Sequence, residues 1–173
     1  MNRRDLLRAG MAVAAVAGSG PLAGMAHGAP VLFYDLEFPD MHGQSRAVSD
    51  FLGQPMVLNF WATWCPPCVR EMPDLDYLQT KYPGVTVVGL AIDTADNVRK
   101  FSQKVPVDYP VLVAGHGGIQ LMKEMGNPRG GLPYTILYDA RGQELRHFLG
   151  QIDRDELDGI LAGTVANQNG QTR

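Results

Sequence analysis

From residue 31 onward the chain alternates between short, almost wholly apolar runs and longer mixed stretches. The runs Met56–Trp61, Val85–Ile92, Val111–Val113 and Tyr134–Tyr138 have the length of strands, and their near-continuous hydrophobicity suits strands covered on both faces. Between and after them, Pro66–Lys81, Asn97–Lys104, Gly118–Met125 and Asp153–Ala166 are expected as helices. Pro66 suits a first helical position, Pro83-Gly84 stops the first helix, residues 93–96 offer N-caps for the second, and Gly126-Asn127-Pro128 ends the third. Ahead of the main strands, Phe33–Phe38 alternates loosely and Asp40-Met41-His42-Gly43 is a turn, which predicts a short hairpin; Ser49–Gly53 predicts a small helical turn. Tyr134–Tyr138, the turn Asp139-Ala140-Arg141-Gly142 and Gln143–Leu149 predict a second hairpin. Strand and helix in alternation, closed by a hairpin and a helix, predict an α/β fold with a central mixed β-sheet flanked by helices on both faces. It has no internal repeat, spans about residues 29–166 as one domain, and leaves 167–173 as a polar C-terminal tail.

Composition narrows the class. The sequence has 173 residues, 45% of them hydrophobic, which is enough for one domain with a real core. The formal charge is −3, and removal of the first 26 residues, with three arginines and one aspartate, takes it to −5. Nucleic acid is not an expected partner of such a surface. Residues 1–28 carry Arg3-Arg4-Asp5-Leu6-Leu7-Arg8, then an Ala/Gly/Val-rich stretch running to His27-Gly28-Ala29-Pro30, and so form an export signal. The paired arginines resemble a twin-arginine signal, with leucine where that pattern prefers phenylalanine; an ordinary secretory n-region is the plainer alternative. Cleavage is expected after Ala26 or Gly28. An uncleaved membrane anchor is disfavoured by Gly18, Gly20 and Pro21 and by the lack of large aliphatic residues.

The two cysteines of the chain, Cys65 and Cys68, lie where the strand Met56–Trp61 passes through the turn Ala62–Trp64 into the helix at Pro66. A sulfur at a helix N-terminus meets unpaired N–H groups and the positive end of the helix dipole, both of which favour the thiolate, the nucleophile of disulfide exchange. Cys68 returns to the same side of the first turn and can close a disulfide that displaces a bound partner. A purely structural disulfide is the bland alternative, yet so short a loop would stabilise by only about 2 kcal/mol. A metal centre is weaker still, because His27, His42, His116 and His147 are scattered; no metal or other cofactor is expected.

Asn59-Phe60-Trp61-Ala62-Thr63-Trp64-Cys65-Pro66-Pro67-Cys68 resembles the active site of the thioredoxin superfamily, and the resemblance extends over about Val31–Ala166. Within it the chain is most similar to the TlpA/ResA/CcmG group of exported thiol-disulfide oxidoreductases. Pro73, five residues after Cys68, matches a kink-forming helix proline of the superfamily, and Gly131-Leu132-Pro133-Tyr134-Thr135 matches its cis-proline loop. The resemblance implies that Pro133 is cis, that its loop packs against the catalytic sulfur, and that Leu132 pairs its backbone with an incoming chain. Trp64, Pro66 and Pro67 complete the expected target-binding surface. Thioredoxin has a buried aspartate where this chain has Asn59, which cannot accept a proton. Glu71, three residues after Cys68, stands where ResA-like proteins carry a functional acid and is expected to assist deprotonation of Cys68; burial would raise its pKa towards neutrality. The alternative is a glutamate merely favoured near a helix start. The long connection between Ile92 and the cis-proline loop fits the helix and strand that the group inserts there.

Pro66 and Pro67 have no N–H to offer the Cys65 sulfur, so a moderately lowered thiol pKa and a fairly reducing couple are expected. By resemblance, a membrane thiol-reducing protein of the CcdA or DsbD type would supply electrons. The targets would be exported cysteine-containing proteins such as apocytochrome c or copper-site proteins. Rival readings are a Sco-like copper-binding module, which spaces its cysteines by three residues; a thiol peroxidase, whose Pro and Thr positions are here Leu58 and Ala62; a disulfide-introducing oxidase; and a redox-linked holdase. Met122 and Met125 are assigned to the core.

Overall fold

The computed structural model describes residues 33–171; the expected export segment lies outside the described residues. A 3₁₀ turn at Phe33–Asp35 leads into β1 (Glu37–Pro39) and β2 (Ser45–Ala47), an antiparallel pair, and a second 3₁₀ turn covers Val48–Phe51. Then follow β3 (Met56–Trp61), α1 (Pro66–Lys81), β4 (Thr86–Ala91), α2 (Ala95–Ser102), β5 (Val111–Val113), α3 (Gly118–Glu124), β6 (Tyr134–Tyr138), β7 (Glu144–Leu149) and α4 (Arg154–Gln171). The main sheet has the order β5-β4-β3-β6-β7, with β3, β4 and β5 parallel and the pairs β3/β6 and β6/β7 antiparallel. This is the mixed, helix-covered sheet expected from the sequence.

Every residue of the three central strands β3, β4 and β6 is buried, which explains their unbroken apolar runs. One face of the sheet packs Val57, Trp61, Val87, Ala91 and Leu137 against Met72, Leu75 and Leu78 of α1, Val98 of α2, and Leu157 and Leu161 of α4. The other face packs Met56, Leu58, Phe60, Leu90 and Ile136 against Met122 of α3 and against Phe33, Val48 and Phe51 of the N-terminal segment. Helices α1 and α4 are further tied by Lys81 Nζ to Asp158 Oδ1 at 2.6 Å.

Differences from the sequence expectation fall at element ends. The stretch read as the first arm of the hairpin begins as a 3₁₀ turn, closed by Leu36 N–H donating to Phe33 O at 3.2 Å, because the Phe33 ring is drawn inward to stack on Tyr138 at 6.2 Å. Helix α2 starts at Ala95, since Thr94 is the residue that caps it: its hydroxyl accepts from Asn97 N–H at 3.3 Å. Helix α4 runs on to Gln171, five residues into the stretch read as a tail. No proline or glycine stands between Gly163 and Gly170 to stop it.

Candidate active site

Strand β3, central in the sheet, ends at Trp61, and a tight turn hands the chain to α1. Cys65 N–H donates to Ala62 O at 3.2 Å, and Thr63 is anchored to Asp93, whose carboxylate accepts from both its backbone N–H, at 3.3 Å, and its hydroxyl. Burial opposes the charge of Asp93, yet bonds from Thr63, Asn97 and the Thr94 N–H hold its carboxyl below the ordinary range. Asp93 was read from the sequence only as a helix cap. Its bond across 30 residues to the turn before Cys65 is a tertiary contact.

Cys65 is the N-cap of α1, in extended backbone conformation, with Pro66 and Pro67 as the first two helical residues. It is joined to Cys68 by a disulfide, with the two Cα atoms 5.3 Å apart. Cys65 is 5% exposed and Cys68 is fully buried, so of the two sulfurs only that of Cys65 belongs to a residue in reach of solvent. Cys68 N–H donates to Cys65 Sγ at 3.4 Å. With prolines at both intervening positions, this is the backbone donor that the first turn retains for the sulfur. Trp64, next to Cys65, is 62% exposed.

The Leu132–Pro133 peptide bond is cis, as expected from the resemblance. Leu132 is half-buried and packs against the hydrophobic cluster that contains Cys65 and Cys68, while Gly150 N–H donates to Pro133 O at 2.9 Å and pins the loop beside β7. The β3/β6 register, which sets Phe60 opposite Tyr134, brings the cis-proline loop to the end of the sheet from which the chain enters the dithiol turn, and Trp64 stands exposed in that turn.

Glu71 lies one helical turn beyond Cys68 and has no exposed surface. Asn59 Nδ2 donates to its Oε1 at 2.7 Å, and the Ile152 N–H donates to its Oε2 at 2.9 Å. Asn59 Nδ2 also donates to Thr135 Oγ1 at 2.9 Å. Desolvation is the largest influence on the Glu71 carboxyl and pushes it from an ordinary 4.5 up to about 7; the two hydrogen bonds partly offset this and the Asp74 charge adds to it. The Ile152 N–H is absent from the sequence reading, where Thr135 stands in the cis-proline motif without a role of its own and Asn59 is credited with no part. The signal for Asn59 was a lone polar side chain in a strand buried on both faces, which demands a partner.

Among the described residues no three His, Cys, Asp or Glu side chains are placed to hold a metal ion. His116 is exposed and Met122 is fully buried in the core.

A Cys-X-X-Cys disulfide at a strand-to-helix turn, with a cis-proline loop at the same end of a mixed sheet, defines a thioredoxin-like thiol-disulfide oxidoreductase. The chain belongs to the AhpC/TSA family, whose model matches residues 30–148. Among curated proteins it is similar to the thiol-disulfide oxidoreductase ResA of Bacillus anthracis, with 32% identity over 125 residues that cover 70% of each chain. Among solved structures it is similar to a secreted Mycobacterium tuberculosis disulfide oxidoreductase homologous to E. coli DsbE, with 25% identity, a TM-score of 0.65, and coverage of 75% of this chain and 96% of that one. A secreted thiol-disulfide isomerase from Corynebacterium glutamicum gives 25% identity, a TM-score of 0.68, and coverage of 76% and 84%. Protein thiols and disulfides are accordingly the substrates of the class.

Proposed function

We propose that this protein is an exported reductant of protein disulfides, with Cys65 as the attacking thiolate, Cys68 as the resolving thiol and Glu71 as the group that takes the Cys68 proton. In the reduced protein the Cys65 thiolate attacks a target disulfide, forming a Cys65–target bond and releasing one target sulfur as thiolate. Glu71 accepts the proton of Cys68, and the Cys68 thiolate attacks Cys65 Sγ. The second target sulfur leaves with the electron pair, and the protein ends in the Cys65–Cys68 disulfide. Two electrons pass to the target, and an external dithiol, by family resemblance a membrane thiol-reducing protein, restores the pair. The observation that supports this reading is Glu71 itself: a carboxyl buried one turn from Cys68, held at both oxygens and pushed up to about 7, is suited to exchange protons with a thiol near neutral pH.

Trp64, Pro66, Pro67, Leu132 and Pro133 supply the surface on which a target chain lies, with Leu132 offering its backbone for strand addition. The secreted character of the two structural neighbours supports an extracytoplasmic location, and the arginine pair at residues 3 and 4 supports export by the twin-arginine route. No helix of the described residues is long and apolar enough to cross a membrane. Apocytochrome c and copper-site proteins are the targets that the family resemblance favours.

The deciding experiment is the equilibrium reduction potential of the Cys65–Cys68 couple in a redox buffer, read together with trapping by Cys68→Ser. A reductant is expected towards the thioredoxin end, at about −270 mV, with mixed disulfides accumulating on Cys65 of the variant. A value near the DsbA end, about −120 mV, would make the protein an oxidant instead.

A further inference from the structure

Asn59 has no ionisable group, yet it stands at the junction of the parts that the proposed reaction uses. Its side chain is completely buried and both amide hydrogens are spent, one on Glu71 Oε1 at 2.7 Å and one on Thr135 Oγ1 at 2.9 Å. Glu71 follows Cys68 by one turn of α1. Thr135 follows Pro133 by two residues in β6. The β3/β6 register sets Asn59 directly opposite Thr135, so the bridge is fixed by sheet pairing and not by a flexible loop. Among the described residues, Asn59 is the one side chain that hydrogen-bonds both Glu71 and Thr135.

We infer that Asn59 is a positioning residue that couples Glu71 to the target-binding loop, its two amide hydrogens linking the carboxyl that serves Cys68 to the strand that starts at the cis Leu132–Pro133 bond. This rests on the roles proposed above for Glu71 and for the loop. Hydrogen-bond chemistry makes the link run both ways. Ionised Glu71 accepts from the amide N–H in a charge-assisted bond; protonated Glu71 keeps an acceptor oxygen but loses the charge, so the same bond is weaker. Asn59 Oδ1 has no hydrogen-bond partner among the described residues. The same amide nitrogen donates to Thr135, so a change in its bond to Glu71 is felt in its bond to Thr135. A proton passed from Cys68 to Glu71 is thereby registered at Thr135, and a chain docked on the loop is registered, by linkage, at Glu71. The other ionisable groups that interact with Glu71 are Asp74 on α1, paired to Arg154 at 3.6 Å, and Tyr109 from the loop ahead of β5.

The test follows the Glu71 carboxyl by carbon NMR across pH, in the disulfide form and in a mixed disulfide between Cys68→Ser and a synthetic cysteine-containing peptide. Asn59→Leu removes a donor to the ionised form and is expected to raise the Glu71 midpoint by about one pH unit. Thr135→Val keeps the branched shape, removes only the hydroxyl, and carries the test if Asn59→Leu does not fold. In the parent, peptide docking is expected to shift the Glu71 midpoint, and in Thr135→Val that shift is expected to vanish. A Thr135→Val protein whose midpoint matches the parent in both free and peptide-bound forms overturns the coupling. Glu71→Gln separates this failure from that of the wider reading. If its target-release profile across pH matches the parent, Glu71 has no proton-transfer role. If the profile changes while Thr135→Val stays parent-like, that role stands and the coupling through Asn59 does not.

Discussion

The two faces of strand β3 are built to different ends. Met56, Leu58 and Phe60 point to one side and lie in a wholly apolar and aromatic cluster with Met122, Ile136, Tyr134 and Tyr138. Val57, Asn59 and Trp61 point to the other, where α1 brings the disulfide and Glu71. On the first side the Tyr134 hydroxyl finds Met125 O at 2.9 Å. On the second, Asn59 Oδ1, Trp61 Nε1 and the Tyr109 hydroxyl oxygen are buried and have no partner among the described residues. Gly89, opposite Asn59 in β4, makes room there: an added Cβ would stand 3.0 Å from Trp61 Nε1 and 3.1 Å from the Tyr109 ring. A single strand thus spends one face on cohesion and on the other holds a polar side chain, Asn59, among apolar ones. That polar side chain bonds Glu71 on the face that receives α1, where a protonatable group needs a dry setting to titrate near neutrality.

The contrast is broken most completely by Cys65→Ser. Turnover of disulfide exchange, measured by insulin reduction with dithiothreitol, is expected to fall to the buffer rate, while urea melting under reducing conditions stays close to that of the parent. Turnover that persists would move the nucleophile to Cys68. Phe60→Ala probes the other face. It is expected to cost about 3–5 kcal/mol in urea melting and to leave exchange intact at temperatures where the variant remains folded. A loss below about 1 kcal/mol would mean that the apolar face collapses around the gap. Glu71→Gln sharpens the comparison through pH. The Glu71 carboxyl sits at about 7 in the folded protein against an ordinary 4.5, so between those values the native state holds the extra proton and stability falls as pH rises. Relative to Glu71→Gln, the oxidised parent is expected to lose about 3 kcal/mol between pH 4 and pH 8. Parallel stability curves for the two proteins would show that the carboxyl titrates at its ordinary pH.

Much of this was legible before any coordinates. The strands β3, β5 and β6 and the helix α1 follow their sequence bounds because apolar runs of strand length, Pro66 and Pro83-Gly84 act locally. Element ends were less legible, since Phe33 and Thr94 take their conformations from a stacking partner 105 residues away and from a side-chain cap, respectively.

The sequence by itself determined the class of chemistry: a cysteine pair spaced for one helical turn, set at a helix start, with a glutamate one turn on and a proline ahead of a strand. The cysteines and the glutamate are short-range features that helix geometry alone brings together; the proline is brought to the same end of the sheet by the pairing of β3 with β6. Only the tertiary structure decided what surrounds Glu71, because the groups that hold it, Asn59 and the Ile152 N–H, lie 12 and 81 residues away, and Thr135 lies 76 residues from Asn59. Desolvation and hydrogen bonding set a carboxyl's affinity for protons, and both are properties of the packed interior that no stretch of chain carries alone.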